Sequence, residues 1–131
     1  MNALDNVAFP LGARDTPPKI RKQLALSALQ LVGVGEKARR TPSRLSGGES
    51  QRVAVARALV TEAPILLCDE PTGNLDTQNT KALTELLYNL NKEHGKTVVV
   101  ITHNMEVARA ADRILFIRDG RIEREERLRG V

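Results

Sequence analysis

The stretch ILLCDEPTGN, residues 65–74, gives the clearest indication of how this chain folds. Its first four residues are apolar, and Asp69 and Glu70 follow them directly. A short apolar run that ends at polar residues and a Pro-Gly turn is typical of a buried strand in a parallel sheet. A β-branched run at 97–102 predicts a second buried strand, and residues 114–117 predict a third.

Helices are predicted between these strands. Asp76 or Thr77 is expected to cap a long helix that ends at Gly95. One face of that helix carries Leu83, Leu86, Leu87 and Leu90. A short helix is expected at 105–111, and a hairpin at Asp119-Gly120 leads into a solvated tail. This order predicts an α/β layer with right-handed crossovers, whose ligands bind beyond the carboxyl ends of the strands.

The first half of the chain is predicted to be helical, after a tail at residues 1–16 that is interrupted by a proline. Thr16 is expected to cap a helix opened by Pro17-Pro18. The buried face of that helix is predicted to hold Ile20, Leu24, Ala28 and Leu31. Residues 34–45 are irregular. Ser46-Gly47-Gly48-Glu49 predicts a capping box, and the helix behind it buries Val53, Ala56 and Val60 and ends before Pro64.

Composition limits the class of protein. The chain has 131 residues, 41% hydrophobic and 27% charged, which is typical of one globular domain or part of a larger one. One cysteine and two histidines exclude a disulfide framework and a zinc ribbon. No apolar run reaches the ~20 residues that span a bilayer, so a membrane role requires a partner. A net charge of +4 carried by dispersed arginines, with two Phe, one Tyr and no Trp, argues against a nucleic-acid partner.

Three segments carry candidate chemistry. Asp69 can hold Mg²⁺ beside nucleotide phosphates, and Glu70 can orient the attacking water. His103, after the second strand, can donate a hydrogen bond to a terminal phosphate. The alternatives are an ordinary strand end for the two acids and a half-buried, backbone-bonded histidine.

The glycine pair after Ser46 lets an anion approach a helix N-terminus closely, where backbone N–H groups and the helix dipole favour negative charge. The alternative is a capping box that binds nothing. Gly95-Lys96-Thr97 is not a phosphate-binding P-loop, because Leu90 stands where that motif requires glycine, and the order of helix and strand is reversed.

Together these segments resemble the later part of an ABC-type ATPase, the nucleotide-binding subunit of ATP-binding-cassette transporters. Residues 45–52, LSGGESQR, match the family's signature motif, and residues 65–71, ILLCDEP, match its Walker B strand and catalytic glutamate. Residues 73–76, GNLD, match the D-loop, and residues 101–103, ITH, match the switch histidine. The sequence of residues 71–76, PTGNLD, resembles that of the branch that serves lipoprotein release and macrolide export.

The resemblance implies a role for each matched residue. Asp69 would help hold Mg²⁺, Glu70 would polarise the attacking water, and His103 would contact the γ-phosphate of ATP. The cofactor-binding residues that it implies are Ser46, Gly47, Gly48, Gln51 and Asp76. In the family two such subunits pair head to tail with ATP between them, so the signature motif acts in trans. A transmembrane transporter subunit would hold the pair at the cytoplasmic face of the membrane.

The resemblance therefore implies an α/β fold that is part of a P-loop NTPase domain of ABC type, with a mostly parallel sheet, flanking helices and a helical subdomain. Residues 1–63 would be the helical subdomain and signature helix, and residues 64–131 the sheet half. The family's P-loop and glutamine loop have no counterpart in these residues, so the chain alone is expected to be inactive and prone to associate. The alternatives are a non-catalytic module that lends its signature motif to an intact ATPase, and an ABC ATPase that acts on DNA or ribosomes.

Overall fold

The computed structural model describes residues 1–129. Three helices come first: α1 (Ala3–Gly12), α2 (Pro18–Leu31) and, after 3-10 turns at Gly35–Lys37 and Pro42–Arg44, α3 (Gly47–Leu59). The elements that follow are β1 (Ile65–Asp69), α4 (Thr77–His94), β2 (Thr97–Ile101), α5 (Met105–Ala108), β3 (Arg113–Arg118) and β4 (Arg121–Arg127). The fold is α/β, as predicted. None of the helices within residues 1–129 has the length and hydropathy needed to cross a membrane.

Helix α1 was not predicted, because Pro10 hides its pattern. The Asn2 side chain caps the helix by accepting a hydrogen bond from the Asp5 N–H at 2.8 Å. Ala3, Val7 and Leu11 follow at a spacing of four residues and are buried. The proline lies near the carboxyl end, where its missing N–H removes a single helical bond, so α1 packs against α2 and α3 as a continuous helix.

The buried face predicted for α2 is confirmed at Ala28 and wrong at the other three residues. Ala25, Ala28 and Leu29 are buried, whereas Ile20, Leu24 and Leu31 are 42–45% exposed. The alanines let α2 lie close to α1 and α3, so contact with these helices, rather than the count of large apolar residues, sets the buried face. The helix also begins after Pro17 with no side-chain cap, so the predicted Thr16 cap is absent.

Helix α3 buries the predicted residues Val53, Ala56 and Val60. The Arg52 guanidinium donates a 2.7 Å hydrogen bond to the Val32 carbonyl at the end of α2. One continuous apolar core joins α1, α2 and α3 to Leu66 of β1 and to Leu87 and Leu90 of α4. The helical first half and the strands therefore share a core.

The strands β1 and β2 pair in parallel, with Leu67 opposite Val99. One face of this sheet packs on the core through Leu66, Cys68, Val98 and Val100, and burial raises the pKa of the Cys68 thiol. The opposite face is open, and Leu67 is 78% exposed. The prediction of buried strands therefore holds for one face of β1 and β2 within residues 1–129, because the helices described there cover that face and leave the other exposed.

The remaining predictions for the second half are largely confirmed. Asp76 caps α4, whose Leu83, Leu87 and Leu90 are buried with Leu86 beside them, and Gly95 ends it in the left-handed conformation. Asp119 and Gly120 both have positive φ, as the tight hairpin between β3 and β4 requires. The third predicted strand is β3, but within residues 1–129 it does not join the layer of β1 and β2. It pairs with β4, formed by the tail, in a separate antiparallel sheet, because the Asp119-Gly120 turn folds β4 back on it.

Candidate functional site

The turn after β1 holds Glu70 in an unusual backbone conformation. Its φ is +49°, in the left-handed region that non-glycine residues rarely adopt. The Glu70 N–H donates to the Ile101 carbonyl at 2.8 Å, and the Glu70 carbonyl accepts from the Gly73 N–H at 3.1 Å. The first bond ties the acidic turn to the end of β2, and the second closes the turn itself. Strained residues that are held in this way cluster at functional sites.

The end of β2 brings His103 to the same place. The His103 Nε2 lies 3.3 Å from Glu70 Oε1, with the imidazole 97% exposed and the carboxylate 39% exposed. The Thr102 hydroxyl accepts a 3.0 Å bond from the Asn104 N–H, which turns the chain at His103. The predicted catalytic pair, far apart in the sequence, is thus a contacting pair at the carboxyl ends of neighbouring strands.

Glu70 and His103 border an open cleft of about 420 Å³. The other lining residues are Thr72, Gly73, Leu75, Thr77, Thr80, Thr102, Asn104 and Glu106. Sequence reasoning missed the threonines, Asn104 and Glu106 as site residues. Their positions just after strands and at helix starts, on the side where parallel sheets bind ligands, were the available signal.

Asp69, the residue predicted to hold a metal, is exposed at the end of β1 and lies outside the lining of the cleft. Within residues 1–129, no three His, Cys, Asp or Glu side chains come together as a metal cluster. Magnesium commonly uses one or two carboxylates, with waters and phosphate oxygens as its other ligands. An exposed carboxylate beside the cleft fits that requirement as a single protein ligand.

The predicted capping box at the start of α3 is confirmed. The Ser46 hydroxyl accepts a 3.1 Å bond from the Glu49 N–H, and the Glu49 carboxylate accepts a 2.9 Å bond from the Ser46 N–H. Lys37 Nζ lies 3.6 Å from the same carboxylate. Gly47 is exposed at this end, Gly48 is buried and Gln51 is half-buried one turn further on.

Gly48 also has a packing role, whereas Gly47 has room for a side chain. A Cβ atom at Gly47 would lie 3.4 Å from the Leu75 side chain, and one at Gly48 would lie 2.8 Å from Asn79 Oδ1. The Asn79 N–H in turn donates a 2.8 Å bond to the Asp76 carboxylate, which caps α4. The starts of α3 and α4 are therefore side by side. This places residues 45–52, which match the signature motif, next to the cleft. None of the predicted cofactor-binding residues lines the cleft itself: Ser46, Gly47, Gly48, Gln51 and Asp76 all lie outside its lining.

Replacing Gly48 by alanine is expected to lower stability by about 1 kcal/mol, the lower end of the usual cost of overpacking. The new methyl group would displace the Asn79 side-chain amide, which is exposed and can move. The double variant Gly48→Ala/Asn79→Ala removes the colliding atoms, so it is expected to lose less than the two single changes together. Urea unfolding of the four proteins measures this coupling. Gly47→Ala, where the contact is ordinary, is the matched control, and equal losses at the two glycines would contradict the prediction.

The capping box is expected to make the stability of the fold depend on pH below about 6. The backbone N–H of Ser46 binds the Glu49 carboxylate and, with Lys37 and Arg40 nearby, lowers the pKa of that carboxyl below its ordinary value of 4.5. A lowered folded-state pKa stabilises the fold above the ordinary value, and this contribution disappears as pH falls through the lower one. Melting temperatures between pH 6 and pH 3 are expected to fall less steeply in Glu49→Gln than in the unchanged chain. Parallel profiles would rule out this contribution.

Known proteins share this arrangement of strands, turn and capped helix. Residues 2–73 match the protein family described as ABC transporter. The chain belongs to the ABC transporter family. MJ0796, an uncharacterized ABC transporter ATP-binding protein of Methanocaldococcus jannaschii, is 47% identical over 99% of this chain and 57% of its own length. The lipoprotein-releasing system ATP-binding protein LolD of Pseudoalteromonas translucida is 44% identical over 95% of this chain and 54% of its own.

Solved structures of ABC cassettes agree with the fold. A dimeric structure of the cassette MJ0796 superposes with a TM-score of 0.84 at 44% identity, and covers all of this chain and 58% of that one. The same cassette in a post-hydrolysis state, bound to ADP and Pi, superposes equally well. The predicted resemblance to part of an ABC ATPase is confirmed. This ABC-family chain spans about half the length of the relatives it matches.

Proposed function

We propose that the chain is part of an ATP-binding and ATP-hydrolysing subunit of an ABC transporter, and that it powers a transmembrane partner from the cytoplasmic face of the membrane. The observation that carries the proposal is the contact between Glu70 and His103 at the border of the cleft. A carboxylate that orients water and an imidazole that binds a terminal phosphate are what phosphoryl transfer to water requires at one place.

Each site residue then has a role. Glu70 polarises the attacking water, and His103 contacts the γ-phosphate of ATP. Asp69 is the protein ligand of Mg²⁺, which neutralises phosphate charge when it is bound. Ser46, Gly47 and Gly48 present the start of α3 to the nucleotide of a second, head-to-tail ATPase subunit, while Gln51 and Asp76 support that contact.

The chain by itself is proposed to be inactive. Its residues include no Gly-rich Lys-Ser/Thr loop, which in this family supplies several charge-assisted hydrogen bonds to phosphate. Such bonds contribute about 1.5–3 kcal/mol each. The absence of three of them weakens ATP binding by about 10³- to 10⁶-fold. Labelled ATP with Mg²⁺ is therefore expected to bind the purified chain no better than background.

A covalent chimera tests the proposed activity. In it, this chain replaces the matched region of MJ0796, so that the remainder of a cassette is joined to these motifs. Mg²⁺-dependent ATP hydrolysis by the chimera is the expected result. A folded chimera that binds ATP and does not hydrolyse it would contradict the catalytic roles given to Glu70 and His103.

One observation favours a second candidate function, a module that lends its signature segment to an intact ATPase. The start of α3 is fully formed in this chain, with its capping box closed and Gly47 exposed. A module of this kind would raise the activity of an intact cassette even when the module's Glu70 is replaced by glutamine. A catalytic half would require that carboxylate.

A further inference from the structure

A negative charge lies at the start of α3, the place that the proposed function gives to a phosphate of the second subunit's ATP. The Glu49 carboxylate is in the first turn and accepts a hydrogen bond from the Ser46 N–H at 2.9 Å. Helix starts attract anions through their free N–H groups and the helix dipole. A carboxylate already there uses part of that attraction and repels a second anion. The capping box therefore stabilises α3 and at the same time opposes the approach of a phosphate.

Lys37 supplies the opposite charge from outside the helix. Its Nζ lies 3.6 Å from Glu49 Oε2, and the two side chains are only 24% and 25% exposed. Water and salt screen such partly buried charges less than charges on the open surface. Arg40, from the same segment, acts on the Glu49 carboxylate more weakly. The Lys37–Glu49 pair has no net charge, so the start of α3 keeps its attraction for an anion.

The backbone fixes the segment that carries Lys37. The Leu4 N–H of α1 donates a hydrogen bond to the Ala38 carbonyl at 2.8 Å. The neighbouring Ala3 N–H donates one to the Arg40 carbonyl at 2.9 Å. Ala38 is also buried in the core that α1 shares with α2 and α3. None of these contacts involves the Lys37 side chain, so the segment is expected to keep its place when that side chain is replaced, and the charge can be tested by itself.

We propose that Lys37 is a positioning residue for the nucleotide of the second ATPase subunit, because it neutralises Glu49 at the helix start that this nucleotide approaches. Lys37 acts through Glu49 and does not itself touch the nucleotide. The inference rests on the proposed function, which brings the γ-phosphate of that nucleotide to the start of α3. A head-to-tail pair of subunits contains two copies of the Lys37–Glu49 pair, so the loss of this charge weakens both contacts between the subunits.

The test measures pairing of the covalent chimera by sedimentation, in Mg²⁺ and a non-hydrolysable ATP analogue. Lys37→Gln is expected to weaken pairing by about tenfold or more, because it leaves the Glu49 charge unpaired beside a phosphate. Binding of the analogue to a dilute single subunit is expected to be unchanged, since the start of α3 faces the other subunit's nucleotide. Lys37→Arg keeps the charge and is expected to pair normally. Lys19→Gln, at an exposed lysine of α2, is the matched loss of one charge and is also expected to pair normally.

The double variant Lys37→Gln/Glu49→Gln separates a role of the charge from a structural role of the ion pair. It is expected to restore pairing, because the helix start is neutral again and glutamine can still close the capping box. If the ion pair only fastens the segment to α3, the double variant lacks it too and stays as weak as Lys37→Gln. Circular dichroism and thermal melting establish that each variant is folded.

Two results would overturn the inference: normal pairing by folded Lys37→Gln, or weak pairing by the folded double variant. Either result, beside an unchanged chimera that hydrolyses ATP, removes the role of Lys37 and leaves the proposed function standing. A folded chimera with the unchanged sequence that neither pairs in the analogue nor hydrolyses ATP would contradict both.

Discussion

Glu70→Gln in the covalent chimera is expected to reduce the rate of ATP hydrolysis by about 10²- to 10⁴-fold, the usual contribution of a positioned acid–base group. Glutamine has nearly the same size as glutamate, so the left-handed backbone conformation at position 70 is kept. The substitution removes the basic carboxylate oxygen beside His103. Steady-state phosphate release measures the rate, and labelled ATP measures binding. Binding is expected to persist, because glutamine adds no charge to repel phosphate.

Glu85→Gln is the control for this experiment. Glu85 is an exposed carboxylate on α4 that lies outside the lining of the cleft, so its change is expected to leave hydrolysis within twofold. If Glu70→Gln and Glu85→Gln hydrolyse ATP equally fast, Glu70 is not the group that activates water, and the alternative of an ordinary acidic turn after β1 would be correct.

Leu29→Ala is expected to destabilise the chain by about 2–5 kcal/mol, because it removes a fully buried side chain and leaves a cavity. Leu29 has no exposed surface and lies in the core that joins the helices to the sheet. Urea unfolding followed by circular dichroism measures the change, which is a large part of the stability of a domain of this size.

Leu24→Ala is the matched control on the same helix. Leu24 is 42% exposed, and its truncation is expected to cost less than about 1 kcal/mol. The comparison also tests which face of α2 is buried, since the sequence pattern places Leu24 inside the protein and the structure places it outside. A larger loss at Leu24 than at Leu29 would contradict the structure's packing of this helix.

Part of the candidate site was predictable because its geometry is local. An apolar run followed by two acids and a proline places Asp69 and Glu70 at the end of a strand. His103 follows a β-branched run in the same way. Since parallel strands end at the same edge of a sheet, the proximity of Glu70 and His103 follows from the topology. The cleft's threonines and Asn104 were missed, because their positions after strands and at helix starts, although a signal, are also those of ordinary turn and capping residues.

Features that depend on residues a few positions apart were predictable from the sequence. The capping box of Ser46 and Glu49, the Asp76 cap of α4 and the turn at Asp119-Gly120 each consist of hydrogen bonds or backbone angles within such a segment. These features form wherever the segment lies, because their partners are close neighbours in the chain.

Which surfaces are buried follows from the tertiary structure and not from local sequence patterns. Burial is a contact between distant segments, so helix α2 turns its alanines inward against α1 and α3, and Leu24 stays outside. The sheet has one open face for the same reason, because α3 and α4 cover the other and leave Leu67 exposed. The approach of Gly48 to Asn79 belongs to this class too, since two helix starts meet there and neither segment encodes the other's position.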